Sequence, residues 1–261
     1  MHRAAYYLEN LFPGRVNRVI VEAYVLTPGD GTTVSAALPV DANNYYYSAC
    51  MSIVEGLRAI DAGFFTWSTV KLYYSVFYAI RAILGWDNFA VFRQDGKTPY
   101  QVRGIAGCSP QFIPGTGSHK SMINCFRRLM PSHFLLSQPV DQVEALDGFG
   151  WLLKKREDAN YAIPRFCEPE IPEHYEQITR IGVRQAIAAY LDPAAGLLTF
   201  DKDHAIASFP LAVLRFAGDA AVAHGGAAID SDELDFLVRK CRERNAVLAP
   251  LMTFIRRTIR T

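Results

Sequence analysis

The residues best placed to do chemistry in this 261-residue chain are Arg156, Asn160 and Tyr161, in the stretch KKREDANYAIP from Lys154 to Pro164. On an α-helix Arg156 and Asn160 stand four apart and share a face, with Tyr161 next in line. A guanidinium grips a phosphate through two parallel hydrogen bonds and stabilises negative charge as it develops. An amide and a phenol can orient a sugar or phosphate oxygen. Arg156, Asn160 and Tyr161 are therefore the candidate catalytic residues, with Lys155 beside them as a substrate-binding cation. Glu157 and Asp158 fall in the same turn, so the alternative is a solvated helix end in which a carboxylate neutralises Arg156.

His119 and Lys120 form a second candidate, at the start of a helix running from Gly115 to Met130. A helix N-terminus attracts anions and lowers the pKa of a histidine. These two residues are candidates for substrate binding. The alternative is that His119 fastens the loop to the rest of the domain. The stretch GTGSHKS is not a phosphate loop, because His119 precedes Lys120 where a glycine is required and no strand leads into it.

No metal or cofactor is expected. The five cysteines, Cys50, Cys108, Cys125, Cys167 and Cys241, are scattered. None forms a close pair or a Cys/His cluster at zinc spacing. Asp201, Asp203 and His204 read as a polar turn. An odd, unpatterned set of cysteines fits a reducing compartment, and the N-terminus has no continuous apolar signal region. The expected setting is the cytoplasm, with no membrane partner. The net charge of +1 creates no field over the whole chain that would draw nucleic acid. The basic run near the C-terminus, Arg239, Lys240, Arg242 and Arg244, then Arg256, Arg257 and Arg260, is the exception and could contact a phosphate backbone.

The elements that must position these residues are helical. Trp67–Leu84, WSTVKLYYSVFYAIRAIL, is the longest apolar and aromatic run, and only Lys71 and Arg81 interrupt it. Tyr73, Phe77, Ile80 and Leu84 follow one helix face, and Leu72, Val76, Ala79 and Ile83 the adjacent one. Its two charges make it a core helix rather than a membrane span. Thr66 is its expected cap and Gly85 its left-handed stop. The hydroxyls of Tyr73, Tyr74 and Tyr78 need partners where they are buried.

Before it, Asp41–Ala62 reads as a helix capped by Asp41, and Pro28–Thr33 as a turn. Ala4–Phe12 is a short helix, and Val16–Leu26 is a strand or an amphipathic helix. After it, Trp86–Gly117 reads as a loop in which only Val91–Phe92 and Tyr100–Ile105 look orderable. Ser118 is the expected cap of the next helix. Asp141 and Glu144 form a capping box for a helix that continues through Tyr161 and ends before Pro164, which disfavours helical geometry at Ile163. Cys167–Pro172, CEPEIP, is the expected domain boundary. Helical patterns follow over Tyr175–Leu191, Ala205–Val222 and Leu234–Arg244, the last behind a capping box of Asp230 and Glu233.

The helix with YYSVFYAIRAIL, the helix opening SHKSMINCF and the later Arg-x-x-x-Asn-Tyr together resemble the HEPN superfamily over roughly residues 41–166. The resemblance implies an all-α, antiparallel helical bundle that is usually dimeric. Here it would be preceded by an N-terminal segment (1–40) and followed by a helical C-terminal region (173–261). It also implies a member of a prokaryotic RNA-targeting, toxin or defence-type system. Many such proteins are metal-independent endoribonucleases whose sites carry Arg, a few intervening residues, then His, and they are often encoded beside a protein partner. Tyr161 stands where that His would be after Arg156. Arg128 and His133 have the right gap, but Pro131 lies between them. The resemblance therefore implies either an RNA-cleaving enzyme using Arg156, Asn160 and Tyr161 or a catalytically inactive, dimerising adaptor.

Overall fold

The computed structural model describes residues 2–260 apart from 116 and 163, and leaves aside the side chains of residues 195 and 243–245. The chain is mainly helical, at 66%. Contacts divide it into two units that do not follow chain order. One joins Met1–Tyr45 to Ile80–Pro131, and the other joins Tyr46–Ala79 to Ser132–Thr261. The CEPEIP stretch, expected as a boundary, lies inside the second.

In the first unit, α1 (Arg3–Asn10) and α2 (Arg18–Ala23) precede α3 (Pro28–Asp61), which continues into the second unit. Val16–Leu26 resolves to the helical alternative, with Asn17 accepting a hydrogen bond from Val19 N to cap α2. The expected turn at Pro28–Thr33 is instead the first turn of α3. Its start is a capping box: Asp30 accepts from Thr27 N at 2.8 Å, and Thr27 Oγ1 accepts from Asp30 N at 3.2 Å. Pro28 suits the first helical position, where no N–H partner exists to be lost. Gly31 is needed for close approach, since a Cβ there would lie 2.5 Å from the Ala106 backbone N.

Asp41 is therefore mid-helix and caps a different helix. Its carboxylate accepts from Arg3 N and Ala4 N, both at 2.9 Å, at the start of α1. The second long helix, α4 (Phe65–Trp86), passes through Gly85 without stopping. A Cβ on Gly85 would sit 3.0 Å from that of Ala42, so this glycine serves helix packing. The left-handed residue comes later, at Asn88 (φ 64°).

The segment expected as a loop is an antiparallel sheet: β1 (Phe89–Gln94), β2 (Thr98–Arg103) and β3 (Gln111–Phe112) in that order. The turn Asp95–Gly96 has both residues at positive φ and matches the twist of the hairpin strands. Ala90, Phe92, Tyr100 and Val102 bury one face against Leu8, Phe12, Val34 and Leu38. After it, α5 (Gly117–Leu129) starts one residue before Ser118, which lies within its first turn.

The second unit holds the rest. Tyr73, Phe77, Leu72, Val76 and Ala79, its share of the two expected faces of α4, are all buried. The short hairpin β4 (Pro139–Asp141) and β5 (Leu146–Asp147) leads into α6 (Gly148–Glu157). The expected capping box is displaced. Asp141 does accept from Val143 N and Glu144 N, but within the hairpin, and it is Asp147 that caps α6 by accepting from Gly150 N at 2.8 Å. The helix ends at Glu157 and widens into a π-helical turn over Asp158–Ala162. The expected effect at Ile163 lies outside the described residues.

Beyond it come α7 (Glu176–Ile181) and α8 (Val183–Tyr190), expected as one helix but divided at Gly182 (φ 89°). Then follow α9 (Ala205–Ala223), β6 (Ala227–Ala228), α10 (Ser231–Ala246), α11 (Ala249–Thr258) and β7 (Ile259–Arg260), which pairs parallel with β6. The capping box of α10 forms as expected: Glu233 N donates to Asp230 Oδ1 at 2.8 Å and Asp230 N to Glu233 Oε2 at 3.4 Å. Among the described residues one helix, α9, is long and apolar enough to cross a membrane, and 72% of its most apolar window is buried inside the protein, the signature of a core helix.

Candidate functional site

Arg156 lies in the last turn of α6, where a cation faces the negative end of the helix dipole. The wide turn that follows decides its neighbours. An α-helix would bring Asn160 onto the face of Arg156. A π turn holds more residues per turn, so the residue five positions on comes round instead. The guanidinium carbon accordingly lies 5.4 Å from the centre of the Tyr161 ring, while Asn160 is exposed to solvent.

Two tyrosines of α4 complete the surroundings, with ring centres at 5.8 Å for Tyr73 and 5.9 Å for Tyr74. Arg156 Nη2 donates a long hydrogen bond of 3.4 Å to Tyr74 Oη. Three aromatic faces around one guanidinium form a cation–π cage. Burial works against the charge of Arg156, but the phenols of Tyr74 and Tyr161 outweigh it and hold its pKa above the ordinary value. Burial likewise drives the Tyr73 phenol up, against the pull of Arg156. No carboxylate bonds to Arg156 among the described residues, although Glu157 and Asp158 adjoin it, and its Nε is buried with no hydrogen-bond partner. The carboxylate-neutralised helix end is thus not what forms.

Lys154 is not part of this arrangement; it pairs with Glu144 on the surface at 2.5 Å. Lys155 turns the other way and lines a cleft of 180 Å³ with Phe65, Thr66, Asp158, Arg165 and His174. Beside it, Glu168 clasps the start of α4, accepting from Thr66 N at 2.7 Å and Thr66 Oγ1 at 2.8 Å. Burial, with a smaller push from Lys155, lowers the His174 pKa to about 4.

His174 is therefore neutral at pH 7, and its folded pKa lies below the unfolded value. The stability it confers is fully present above pH 6.5 and is lost as pH falls towards 4, by roughly 3 kcal/mol. Urea midpoints measured across that range should show this acid limb flattened by His174→Gln. A limb unchanged in the variant would mean that other groups, such as His133, whose pKa burial also lowers, carry it.

The candidates at His119 and Lys120 lie in the first turn of α5, in the first unit, so they belong to a different unit from Arg156. His119 is half-buried and Lys120 exposed. In the C-terminal basic run, Arg239 and Lys240 stack on Phe236 at 5.1 and 5.5 Å, and the side chain of Arg244 lies outside the described residues. No group of three metal-ligating side chains occurs among the described residues.

Sequence reasoning missed Tyr73 and Tyr74 as neighbours of Arg156, and His174 and Arg165 as cleft residues. The adjacent tyrosines were visible as buried phenols needing partners, but nothing in their spacing names the partner. His174 has no signal of its own, because its environment comes from Trp151 and Tyr175, whose rings lie 6.1 and 4.9 Å away. Comparison with protein-family models, curated proteins and solved structures finds no match to this chain, so its function is argued from these residues alone.

Proposed function

We propose that this chain is a HEPN-like protein of a prokaryotic RNA-targeting, toxin or defence-type system, in which Arg156 holds an RNA phosphate. The supporting observation is the absence of a carboxylate partner for Arg156 among the described residues, together with its unpartnered Nε. A buried guanidinium donor left without an acceptor is costly, and a phosphodiester supplies oxygens for it in the bidentate manner that guanidinium favours. In metal-independent cleavage the ribose 2′-oxygen attacks phosphorus, its proton passes to a base, and the 5′-oxygen leaves with a proton. Arg156 would stabilise the charge that builds on the phosphoryl oxygens. Tyr161 would orient the phosphate from the opposite ring face.

The second reading is a non-cleaving adaptor. It is supported by Tyr161, which follows Arg156 where the resemblance implies a histidine and whose ring lies 5.4 Å from the guanidinium, since a neutral phenol is a far weaker base than an imidazole. Homodimerisation and a protein partner encoded nearby belong to both readings.

Binding and cleavage of labelled single-stranded RNAs by wild type and Arg156→Ala test the proposal. Arg156→Ala should weaken binding about tenfold or more and, if cleavage occurs, slow it roughly 10²–10³-fold. Binding without cleavage selects the adaptor. Equal binding by both proteins, or none by wild type, removes the role of Arg156.

A further inference from the structure

The cleft on the far side of Lys155 goes beyond this reading and does not depend on it. Elsewhere, the small pocket lined by His2, Asp41 and Arg81 offers only 20 Å³, room for about one water molecule. The groove along Arg239 and Arg242 is lined by four residues of α10 alone.

The cleft differs from both in size, lining and charge. At 180 Å³ it slightly exceeds an apolar cavity of about 150 Å³ that admits one benzene ring. Phe65, Pro172 and the neutral His174 imidazole supply planar and apolar walls. Lys155 and Arg165 supply positive charge, and among the described residues neither is ion-paired with a carboxylate. Against them stands one lining carboxylate, Asp158, so the lining carries a single net positive charge. Glu168 does not line the cleft, and its carboxylate is held by Thr66 at the start of α4.

We propose that this cleft binds a small aromatic monocarboxylate of about the size of benzoate, its ring between Phe65 and Pro172 and its carboxylate on Lys155 and Arg165. The size admits one ring with a small substituent, and the charge matches a monoanion. Asp158 and Ala159, which line the cleft, are also the first residues of the π turn that carries Tyr161 to Arg156. A bound ligand would therefore brace that turn.

Calorimetric titration of the full chain with benzoate tests this, with benzyl alcohol and acetate as probes that lack the charge or the ring. Benzoate should bind saturably with one-to-one stoichiometry, and each control about tenfold or more weaker. Lys155→Met should cost about tenfold in affinity, and Arg165→Gln, a change at an exposed side chain that leaves the fold intact, several-fold. No saturation by about 10 mM benzoate, or benzoate affinity unchanged in both variants, overturns the proposal. Acetate binding as tightly as benzoate overturns the aromatic part of it and with it the assignment. Because RNA binding through Arg156 is measured separately, either proposal can fail alone.

Discussion

Gly148→Ala should destabilise the second unit by about 3 kcal/mol or more, at the upper end for a small-to-large change in a packed core. A Cβ at Gly148 would lie 2.5 Å from Phe209 Cζ and closer still to Cδ2 and Cε2. Something must move. The Phe209 ring is fully buried and meets Phe149 edge-on at 5.0 Å, so it has no free volume to enter. The remaining response is for the start of α6 to lift away from α9, and Arg156 rides at the other end of the same ten-residue helix. Loss of stability and loss of RNA binding should therefore come together. Phe209→Leu in the same chain removes Cε2 and Cζ and leaves a flexible Cδ pair that can turn away, so it should recover part of the loss and the pair should be strongly non-additive. Urea or thermal unfolding of the four proteins in this cycle decides it. A Gly148→Ala protein within about 0.5 kcal/mol of wild type would mean that α6 does not depend on this approach. Gly29→Ala is the contrasting case. Its nearest neighbour would be Thr27 Oγ1 at 3.8 Å, so the new methyl fits and the stiffer unfolded chain should make it neutral or slightly stabilising.

The helical character of the chain and the core role of α4 were legible because they rest on periodicity, which depends only on the order of residues. The capping box at Asp230 and Glu233 was legible for the same reason: both partners lie within one turn. Reading failed where a local signal had two outlets. Asp41 looks like a helix start, yet its carboxylate is used by α1 across 38 residues of sequence. Pro28 and its glycines look like a turn, and only the Thr27–Asp30 pair behind them marks the true start of α3. Asp141 makes its own half of a capping box while Glu144 turns to Lys154, and the left-handed Ala145 (φ 52°) and the hairpin intervene before α6 begins. The strands at Phe89–Arg103 fall in a stretch read mostly as loop because Gly, Pro, Ser and Asn stand at short intervals along Trp86–Gly117, although the alternation of buried Ala90, Phe92 and Gln94 with less buried positions in β1 is the period of a half-buried strand; β2, buried at four successive positions, offers no such period. In the candidate site, Arg156 and Tyr161 lie side by side, whereas Asn160, expected on the face of Arg156, is turned to solvent. The difference is one extra residue in the turn after Glu157, and no spacing rule anticipates a π turn.

Asp30→Asn should cost the first unit about 3 kcal/mol, because one carboxylate there serves four donors. Oδ1 accepts from Tyr7 Oη at 2.6 Å. Oδ2 accepts from Tyr24 Oη at 2.8 Å, Thr27 N at 2.8 Å and Thr27 Oγ1 at 2.7 Å. These bonds tie α1 and the end of α2 to the first turn of α3. An amide of the same shape keeps one acceptor and turns an NH₂ towards hydroxyls and an N–H that also need to donate. The same bonds, that of Tyr7 foremost, hold the carboxyl pKa down to about 2. A carboxyl lowered on folding stabilises fully above its unfolded value of 3.8 and loses that contribution as pH falls through about 2. Wild type should therefore weaken on acidification through this window, whereas Asp30→Asn should start lower and lack that part of the slope. The bond to Asp30, and after it burial, raises the phenols of Tyr7 and Tyr24, so their contribution is complete below pH 10 and is lost as pH rises above it. Asp30→Asn should shrink this alkaline limb as well, because it removes the acceptor that keeps both phenols protonated. Urea midpoints from pH 2 to 11 for the two proteins test both limbs at once. If both slopes persist in the variant, the four bonds are not what couples this unit to pH.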